Sequence, residues 1–111
     1  MYEYQARLAR IIDADTVELD VDLGFRVSQR MVVRMAGIDA VERRDPRHKA
    51  ALEFLRFHLS GSSPLRIRTQ KDSREKYGRY LAEIYYGEDT PSINTQMISA
   101  GYAVAYEGGK R

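Results

Sequence analysis

The sequence predicts an α+β fold that is mainly β, a five-stranded Greek-key barrel with two helices packed on it. Short segments in which apolar and polar residues alternate outnumber helical segments, and turn residues separate them. The first helical pattern falls between the third and fourth alternating segments. The 111 residues, 43% of them hydrophobic and 31% charged, match the size and composition of one globular domain. We therefore expect residues 1–111 to form a single domain.

Three alternating segments open the chain. Residues 4–12 form the first, and in residues 16–23 four apolar side chains face one side while three acidic side chains face the other. Gly24 follows as a turn, and an approximate period of two continues over residues 25–38. These segments predict three consecutive antiparallel strands, of which the second and third form a hairpin.

The pattern then changes to helical spacing. Asp45 followed by Pro46 matches a helix N-cap with proline at the first helical position. Apolar residues recur at helical spacing from there as far as Leu59. The sequence therefore predicts a helix over residues 46–59.

The rest of the chain predicts two more strands and a second helix. Residues 65–69 and 80–86 alternate as strands. Thr90 and Pro91 repeat the cap-and-proline signature before a short helix that ends at Gly101. The resulting order, β-β-β-α-β-β-α, is typical of the OB-fold, whose barrels commonly bind nucleic acids or oligosaccharides.

The composition excludes several kinds of chemistry. Cysteine is absent, which removes disulfides, thiolate metal sites and cysteine nucleophiles. His48 and His58 both fall in one predicted helix, so we interpret them as ordinary helix residues rather than as a metal pair or part of a triad. The net charge is only +2, but residues 66–80 hold six basic and two acidic residues, which indicates an anion-facing surface.

The sequence also limits the expected surroundings of the protein. It contains no run of about 18 consecutive apolar residues, so we expect no membrane partner. The first residues carry no charged region followed by an apolar one, which predicts a cytoplasmic location. Secretion stays open if the chain is a processed or trimmed form.

Polar residues interrupt the apolar pattern where predicted strands end. Asp15 lies between the first two strands and Asp39 just after the third, so a barrel could bring both carboxylates together as ligands for Ca²⁺ or Mg²⁺. Glu42 is close enough along the chain to act as a general base. Arg34 and Arg79 carry donors that match phosphate oxygens. The same residues could instead be turn formers and exposed ion pairs.

Three segments carry a family resemblance: residues 13–17 (DADTV), 33–42 (VRMAGIDAVE) and 76–82 (KYGRYLA). In order and spacing they resemble the signature segments of the staphylococcal nuclease family, and the similarity extends over about residues 6–106. The resemblance implies an OB-fold barrel with helices packed on it, hydrolysis of DNA and RNA phosphodiester bonds, and Ca²⁺ as the cofactor.

The resemblance also implies a role for each matching residue. Asp15, Asp39 and the backbone carbonyl of Ala40 would bind the metal ion. Glu42 would activate the attacking water, while Arg34 and Arg79 would hold the scissile phosphate and stabilise its developing charge. Three further residues would contact the substrate: Lys76, Tyr77 and Tyr106.

The chain departs from the family pattern at several places, of which two bear most on the site and the fold. Val41 stands where the family usually has proline. The chain stops at Arg111, where the best-known member continues into a third helix, so we expect that helix to be missing or truncated. The leading hypothesis is a monomeric endo/exonuclease that prefers single-stranded DNA or RNA. The alternative is a non-catalytic module of the same fold that binds nucleic acid or protein.

Overall fold

The structure, a computed structural model, describes residues 2–61, 63–71, 79–88 and 90–106. Strands predominate in this part of the chain, and the two helices lie between strands. The elements in chain order are β1 (Tyr2–Asp13), β2 (Thr16–Gly24), β3 (Val27–Met35), β4 (Ile38–Ala40), α1 (His48–Leu59), β5 (Leu65–Lys71), β6 (Tyr80–Tyr85), α2 (Ile93–Ser99) and β7 (Ala103–Ala105).

Five strands close into a barrel in the order β1-β2-β3-β6-β5. The pairs β1–β2, β2–β3, β5–β6 and β1–β5 are antiparallel, whereas β3 and β6 run parallel. Because β5 pairs with both β1 and β6, the sheet has no free edge. The predicted five-stranded Greek-key barrel with an OB-fold strand order is confirmed.

Alternation along the strands fills the barrel. On β2 three of the four apolar side chains of the predicted face are buried, while the acidic residues between them face outward; Leu23, near the end of the strand, is 41% exposed. The helix α1 covers the barrel with an apolar stripe of helical spacing. The buried apolar residues of these two elements are Val17, Leu19, Val21, Ala51, Leu55 and Leu59. Neither of the helices in the described ranges is long and apolar enough to cross a membrane.

The predicted C-terminal end of the third strand is wrong. A single strand was expected over residues 25–38, but β3 ends at Met35 and the chain turns at Gly37, whose φ is +76°. The left-handed backbone of this glycine directs the chain away from the barrel. The following strand, β4, pairs antiparallel with β7 in a separate two-stranded sheet. The sequence analysis did not predict β7, because three residues are too few to show a period.

Both predicted helix starts are also wrong. The helix α1 begins at His48, after the N-cap Arg47, which makes no side-chain capping bond. Asp45 instead accepts a hydrogen bond from the Arg47 backbone N–H at 2.8 Å, which forms a turn before the helix. The N-cap of α2 is Ser92 rather than Thr90, and its hydroxyl oxygen accepts from the backbone N–H of Thr95.

Asn94 is only 4% exposed, and its side chain connects α2 to the barrel through hydrogen bonds. Its side-chain oxygen accepts from the Ile84 N–H at 3.1 Å. Its amide nitrogen donates to the carbonyls of Ala36 and Ala82 at 2.8 and 2.9 Å. Asn94 therefore connects α2, β6 and the turn that leads from β3 into β4. The sequence analysis missed this role; the available signal was one polar residue on the buried face of a short helix.

We predict that Asn94→Ala lowers the free energy of unfolding by about 3 kcal/mol, because three hydrogen bonds between its side chain and the backbone are lost at once. Urea denaturation measures this change. The control Ser92→Ala removes a helix cap and should cost about 1 kcal/mol. Equal losses in the two variants would contradict the central position given to Asn94.

Candidate functional site

Asp15 lies in the tight turn between β1 and β2. The Asp15 carbonyl accepts from the Met35 N–H at 2.8 Å, which ties this turn to the end of β3. The Thr16 hydroxyl donates to one carboxylate oxygen of Asp15 at 3.2 Å. Thr16 in turn pairs in register with Arg34 across β2 and β3. The strand register therefore brings Asp15 and Arg34 together although they are distant in sequence.

One guanidinium nitrogen of Arg34 faces two carboxylates. Arg34 Nη2 lies 3.4 Å from Asp15 Oδ2 and 3.8 Å from Asp39 Oδ1, and it also donates to the Ile38 carbonyl at 3.5 Å. The three charged side chains are only 15%, 18% and 30% exposed for Arg34, Asp15 and Asp39, respectively. Because water is partly excluded, these charges interact more strongly than exposed ion pairs do.

The β4–β7 ladder fixes which backbone groups of β4 face the site. The Val41 N–H donates to the Tyr102 carbonyl at 3.0 Å, and the Tyr106 N–H donates to the Gly37 carbonyl at 2.8 Å. In an antiparallel ladder, paired residues alternate between bonding to the partner strand and pointing away from it. Ala40, one residue before Val41, thus directs its N–H and carbonyl away from β7.

The observed contacts agree with this alternation. The Ala40 N–H donates to Asp15 Oδ2 at 3.4 Å, and the Ile38 carbonyl accepts from Arg34. Because both backbone groups of a strand residue point to the same side, the Ala40 carbonyl also faces the side of the Asp15 carboxylate. Asp15, Asp39 and the Ala40 carbonyl therefore lie along one edge of the site.

This donor set fits a hard divalent cation. Its three groups supply only oxygen, which Ca²⁺ and Mg²⁺ prefer, and the two carboxylates provide negative charge. Within the described ranges no cluster of three or more His, Cys, Asp or Glu side chains could hold a metal ion. A cation at this edge would therefore need water or ligand oxygens to complete its shell, as is usual for open Ca²⁺ sites.

Glu42 lies two residues beyond β4, in the segment of residues 41–47 that leads to α1. Its side chain is exposed, and its backbone carbonyl accepts from the Asp45 N–H at 3.0 Å. It borders a surface depression of about 360 Å³ that also reaches Asp39, Ala40 and Arg44. The structure therefore places Glu42 at the same open depression as the two metal-ligand candidates of β4.

Arg79 directly precedes β6 and is half-buried. The parallel register pairs Val33 with Tyr80 and Arg34 with Leu81. The alternation of β6, continued back by one residue, puts Arg79 on the outer face of the barrel that carries Arg34. The other two residues of this segment that the sequence analysis singled out, Lys76 and Tyr77, lie outside the described residues.

Tyr106 follows β7 and packs against the site. The centroid of its ring lies 5.6 Å from the Arg34 guanidinium carbon, which is within range of a cation–π contact. The backbone of Tyr106 is held by its bond to the Gly37 carbonyl. The expected substrate-contacting tyrosine is therefore close to Arg34, and it supports the face of the guanidinium.

The sequence analysis missed the link between Asp45 and Arg47. Two side-chain hydrogen bonds, of 3.0 and 2.8 Å, join the Arg47 guanidinium to the Asp45 carboxylate, and a third joins Arg47 to the Gly101 carbonyl at 2.9 Å. The Arg47 side chain is the main cause that lowers the pKa of Asp45 from 3.8 to about 2. The Asp45-Pro46 pair was interpreted as a helix N-cap, so the sequence pattern did not predict this ion pair.

The two histidines lie in α1 and are half-buried, as expected of ordinary helix residues. His58 packs against aromatic rings, with centroid distances of 4.5 Å to Phe54 and 4.9 Å to Tyr86. His48 Nε2 lies 3.9 Å from Asp13 Oδ1, on the other side of the β1–β2 turn from Arg34.

Comparison with known proteins connects this geometry to a family. Residues 32–111 match the family described as staphylococcal nuclease homologue. The thermonuclease of Staphylococcus intermedius is 31% identical over 102 residues, which cover 86% of this chain and 56% of that protein. The thermonuclease of Staphylococcus hyicus is 28% identical over 109 residues, covering 93% of this chain and 60% of that protein.

A third relative is much longer. Endonuclease YhcR of Bacillus subtilis (strain 168) is 24% identical over 115 residues, which cover 94% of this chain and 9% of that protein. The chain thus spans a little more than half the length of the two thermonucleases. The family match covers well over half of this chain and extends from the second half of β3 to the last residue. The chain belongs to the staphylococcal nuclease family.

Proposed function

We propose that this protein is a Ca²⁺-dependent nuclease that hydrolyses DNA and RNA phosphodiester bonds by in-line attack of water. One observation carries the proposal: two partly shielded carboxylates, Asp15 and Asp39, flank one arginine, Arg34, at an edge where a backbone carbonyl also points. A combination of cation ligands and a phosphate-binding arginine is well suited to stabilise the charge that develops in phosphoryl transfer. The names of the three relatives, two thermonucleases and an endonuclease, support the same reaction.

The carboxylates of Asp15 and Asp39 and the Ala40 carbonyl would hold the cation. When bound, Ca²⁺ supplies positive charge beside the scissile phosphate and orients one of its oxygens. In the structure Arg34 Nη2 donates to Asp15 and forms an ion pair with Asp39. A cation held by these carboxylates would leave the Arg34 donors available to a phosphate, and the Tyr106 ring lies against the guanidinium group.

Arg34 and Arg79 would bind the phosphate from the outer face of the barrel. Both guanidinium groups stay charged at any working pH, and each offers paired donors that match two phosphate oxygens. Their charge counters the negative charge that builds on the phosphoryl oxygens as water attacks. These residues therefore stabilise the transition state more than the ground state.

Glu42 would act as the general base. Glu42 is exposed and borders the same depression as Asp39 and Ala40, so its carboxylate would reach a water molecule next to a phosphate held at that edge. It would take a proton from this water as the new oxygen–phosphorus bond forms and the bond from phosphorus to the departing ester oxygen breaks; that oxygen takes a proton from solvent water, which leaves one phosphate end and one hydroxyl end. A single-stranded substrate fits better than a duplex, because an open edge flanked by a tyrosine suits one phosphate and one unpaired base. We propose that the protein acts as a monomer.

We predict that Glu42→Gln slows cleavage of labelled single-stranded DNA by about 100-fold or more, since the amide cannot accept the proton. Affinity for the oligonucleotide should stay within about twofold, because Glu42 does not hold the phosphate. Glu53→Gln, an equal change at an exposed site on α1, is the control and should leave the rate unchanged.

Two outcomes would contradict this assignment. A rate within a few-fold of the wild-type rate would remove Glu42 from the role of base. Oligonucleotide binding by the wild-type protein without any cleavage would instead favour the non-catalytic nucleic-acid-binding module.

Metal dependence gives a second prediction. Chelation of Ca²⁺ should abolish cleavage, and Asp15→Asn should weaken Ca²⁺ binding by about tenfold or more in isothermal titration with the metal alone, because one ligand loses its charge. Asp20→Asn is the matched control, since Asp20 also pairs with an arginine of β3, Arg30, but at an exposed position. Equal Ca²⁺ affinity of Asp15→Asn and the wild-type protein would contradict the proposed ligand set.

A further inference from the structure

The segment that carries Glu42 has no regular secondary structure of its own. Residues 41–47 connect β4 to α1 and contain only turns. Within the segment, one backbone bond of 3.0 Å closes a turn from Glu42 to Asp45. A general base must stay in place relative to the attacking water, since a displacement of about 1 Å can cost about 100-fold in rate. Something outside the segment must therefore fix it.

Two neighbouring carbonyls of the connection between α2 and β7 hold the segment at both ends. Before Glu42, the Val41 N–H donates to the Tyr102 carbonyl at 3.0 Å. After Glu42, Arg47 Nη1 donates to the Gly101 carbonyl at 2.9 Å. Gly101 has a φ of +86°, a left-handed conformation that favours glycine at this turn. Both ends of the segment thus attach to one short stretch of backbone.

At the Arg47 end of the segment, the contact with the Gly101 carbonyl depends on the planar shape of the guanidinium group. Its Nε and Nη2 donate to the two oxygens of Asp45 at 3.0 and 2.8 Å, which leaves Nη1 directed at Gly101. Asp45 Oδ1 also accepts from the Arg47 backbone N–H at 2.8 Å. A lysine carries its three donors on a single nitrogen, so it cannot reproduce the planar contact in which separate nitrogens reach the two Asp45 oxygens and the Gly101 carbonyl.

We infer that Arg47 is a positioning residue for Glu42, holding the segment of residues 41–47 against the Gly101 carbonyl so that the Glu42 carboxylate stays beside Asp39 and Ala40. This inference rests on the proposed nuclease function. Arg47 and Glu42 border the same depression, so a shift of one end of the segment changes the space in which Glu42 meets the substrate.

The contact between Asp45 and Arg47 is stable over a wide pH range. The lowered pKa of Asp45, about 2 against an ordinary value of 3.8, means that its stabilising effect is complete above pH 4 and is lost as the pH falls towards 2. The charged groups that face the pair are Glu42 and Arg44 across the depression, and His48, which also favours ionised Asp45. The Asp45–Arg47 ion pair therefore stays charged throughout the pH range of ordinary nuclease assays.

The test compares Arg47→Lys with Arg30→Lys. Arg30 makes the same two-pronged contact with Asp20, at 2.8 and 3.1 Å, on the barrel and away from Glu42. We expect Arg47→Lys to lower kcat for single-stranded DNA by about 10- to 100-fold with KM within about twofold, and Arg30→Lys to change neither. A wild-type kcat in Arg47→Lys would overturn the inference.

A double-mutant cycle separates positioning from general damage to the fold. If Arg47 acts through Glu42, Arg47→Lys should have little further effect on the residual rate of Glu42→Gln. If Arg47→Lys lowers the residual rate by the same factor as in the wild-type background, Arg47 does not act through Glu42 and the inference fails.

Amide hydrogen exchange tests the inference without any assay of activity. Exchange of the Val41 and Asp45 amides, whose bonds close the segment, should become about tenfold faster in Arg47→Lys and stay unchanged in Arg30→Lys. Unchanged exchange in Arg47→Lys would overturn the inference. Absence of cleavage by the wild-type protein would refute the proposed function instead, and the exchange comparison would still decide whether Arg47 holds the segment.

Discussion

The site depends on one guanidinium group. Arg34 on β3 joins the β1–β2 turn to β4, because its Nη2 faces Asp15 in the turn and both the Asp39 carboxylate and the Ile38 carbonyl on β4. Two carboxylates at this partly shielded edge would repel each other without a cation between them. Arg34 supplies positive charge between them, and the same need explains why the edge suits a divalent cation. One electrostatic requirement thus accounts for both the local fold and the proposed chemistry.

A second constraint is the turn through which the chain leaves the barrel after β3. Gly37 turns the backbone out of β3, Asn94 binds the carbonyl of Ala36 just before that turn, and β7 pairs with β4 just after it. The site is therefore assembled from strand ends and turns, while the closed barrel provides the rigid base. The barrel positions Asp15 and Arg34 by strand register, whereas Asp39 and Glu42 depend on contacts with the α2–β7 region.

The sequence predicted the features that periodicity and motifs encode, namely the barrel and the main residues of the site. Alternation in β2 predicted the barrel, and the motif around Asp15, Arg34 and Asp39 predicted residues that the structure brings together. Periodicity could not predict β4 and β7, because a three-residue strand carries no period and forms only when its distant partner is in place. The helix start was misplaced because the Asp45 side chain binds Arg47 instead of capping the helix, and Arg47 also binds the Gly101 carbonyl, which is distant in sequence.

The most direct test of the account is Ca²⁺-dependent cleavage of labelled single-stranded DNA by Arg34→Lys, with Arg30→Lys as the matched control on the same strand. The account predicts a loss of about 100-fold or more in kcat/KM for Arg34→Lys, since lysine cannot offer paired donors to the phosphate, and no loss for Arg30→Lys. Cleavage by Arg34→Lys at the wild-type rate would contradict the account, because the group that organises the site would then have no part in the reaction.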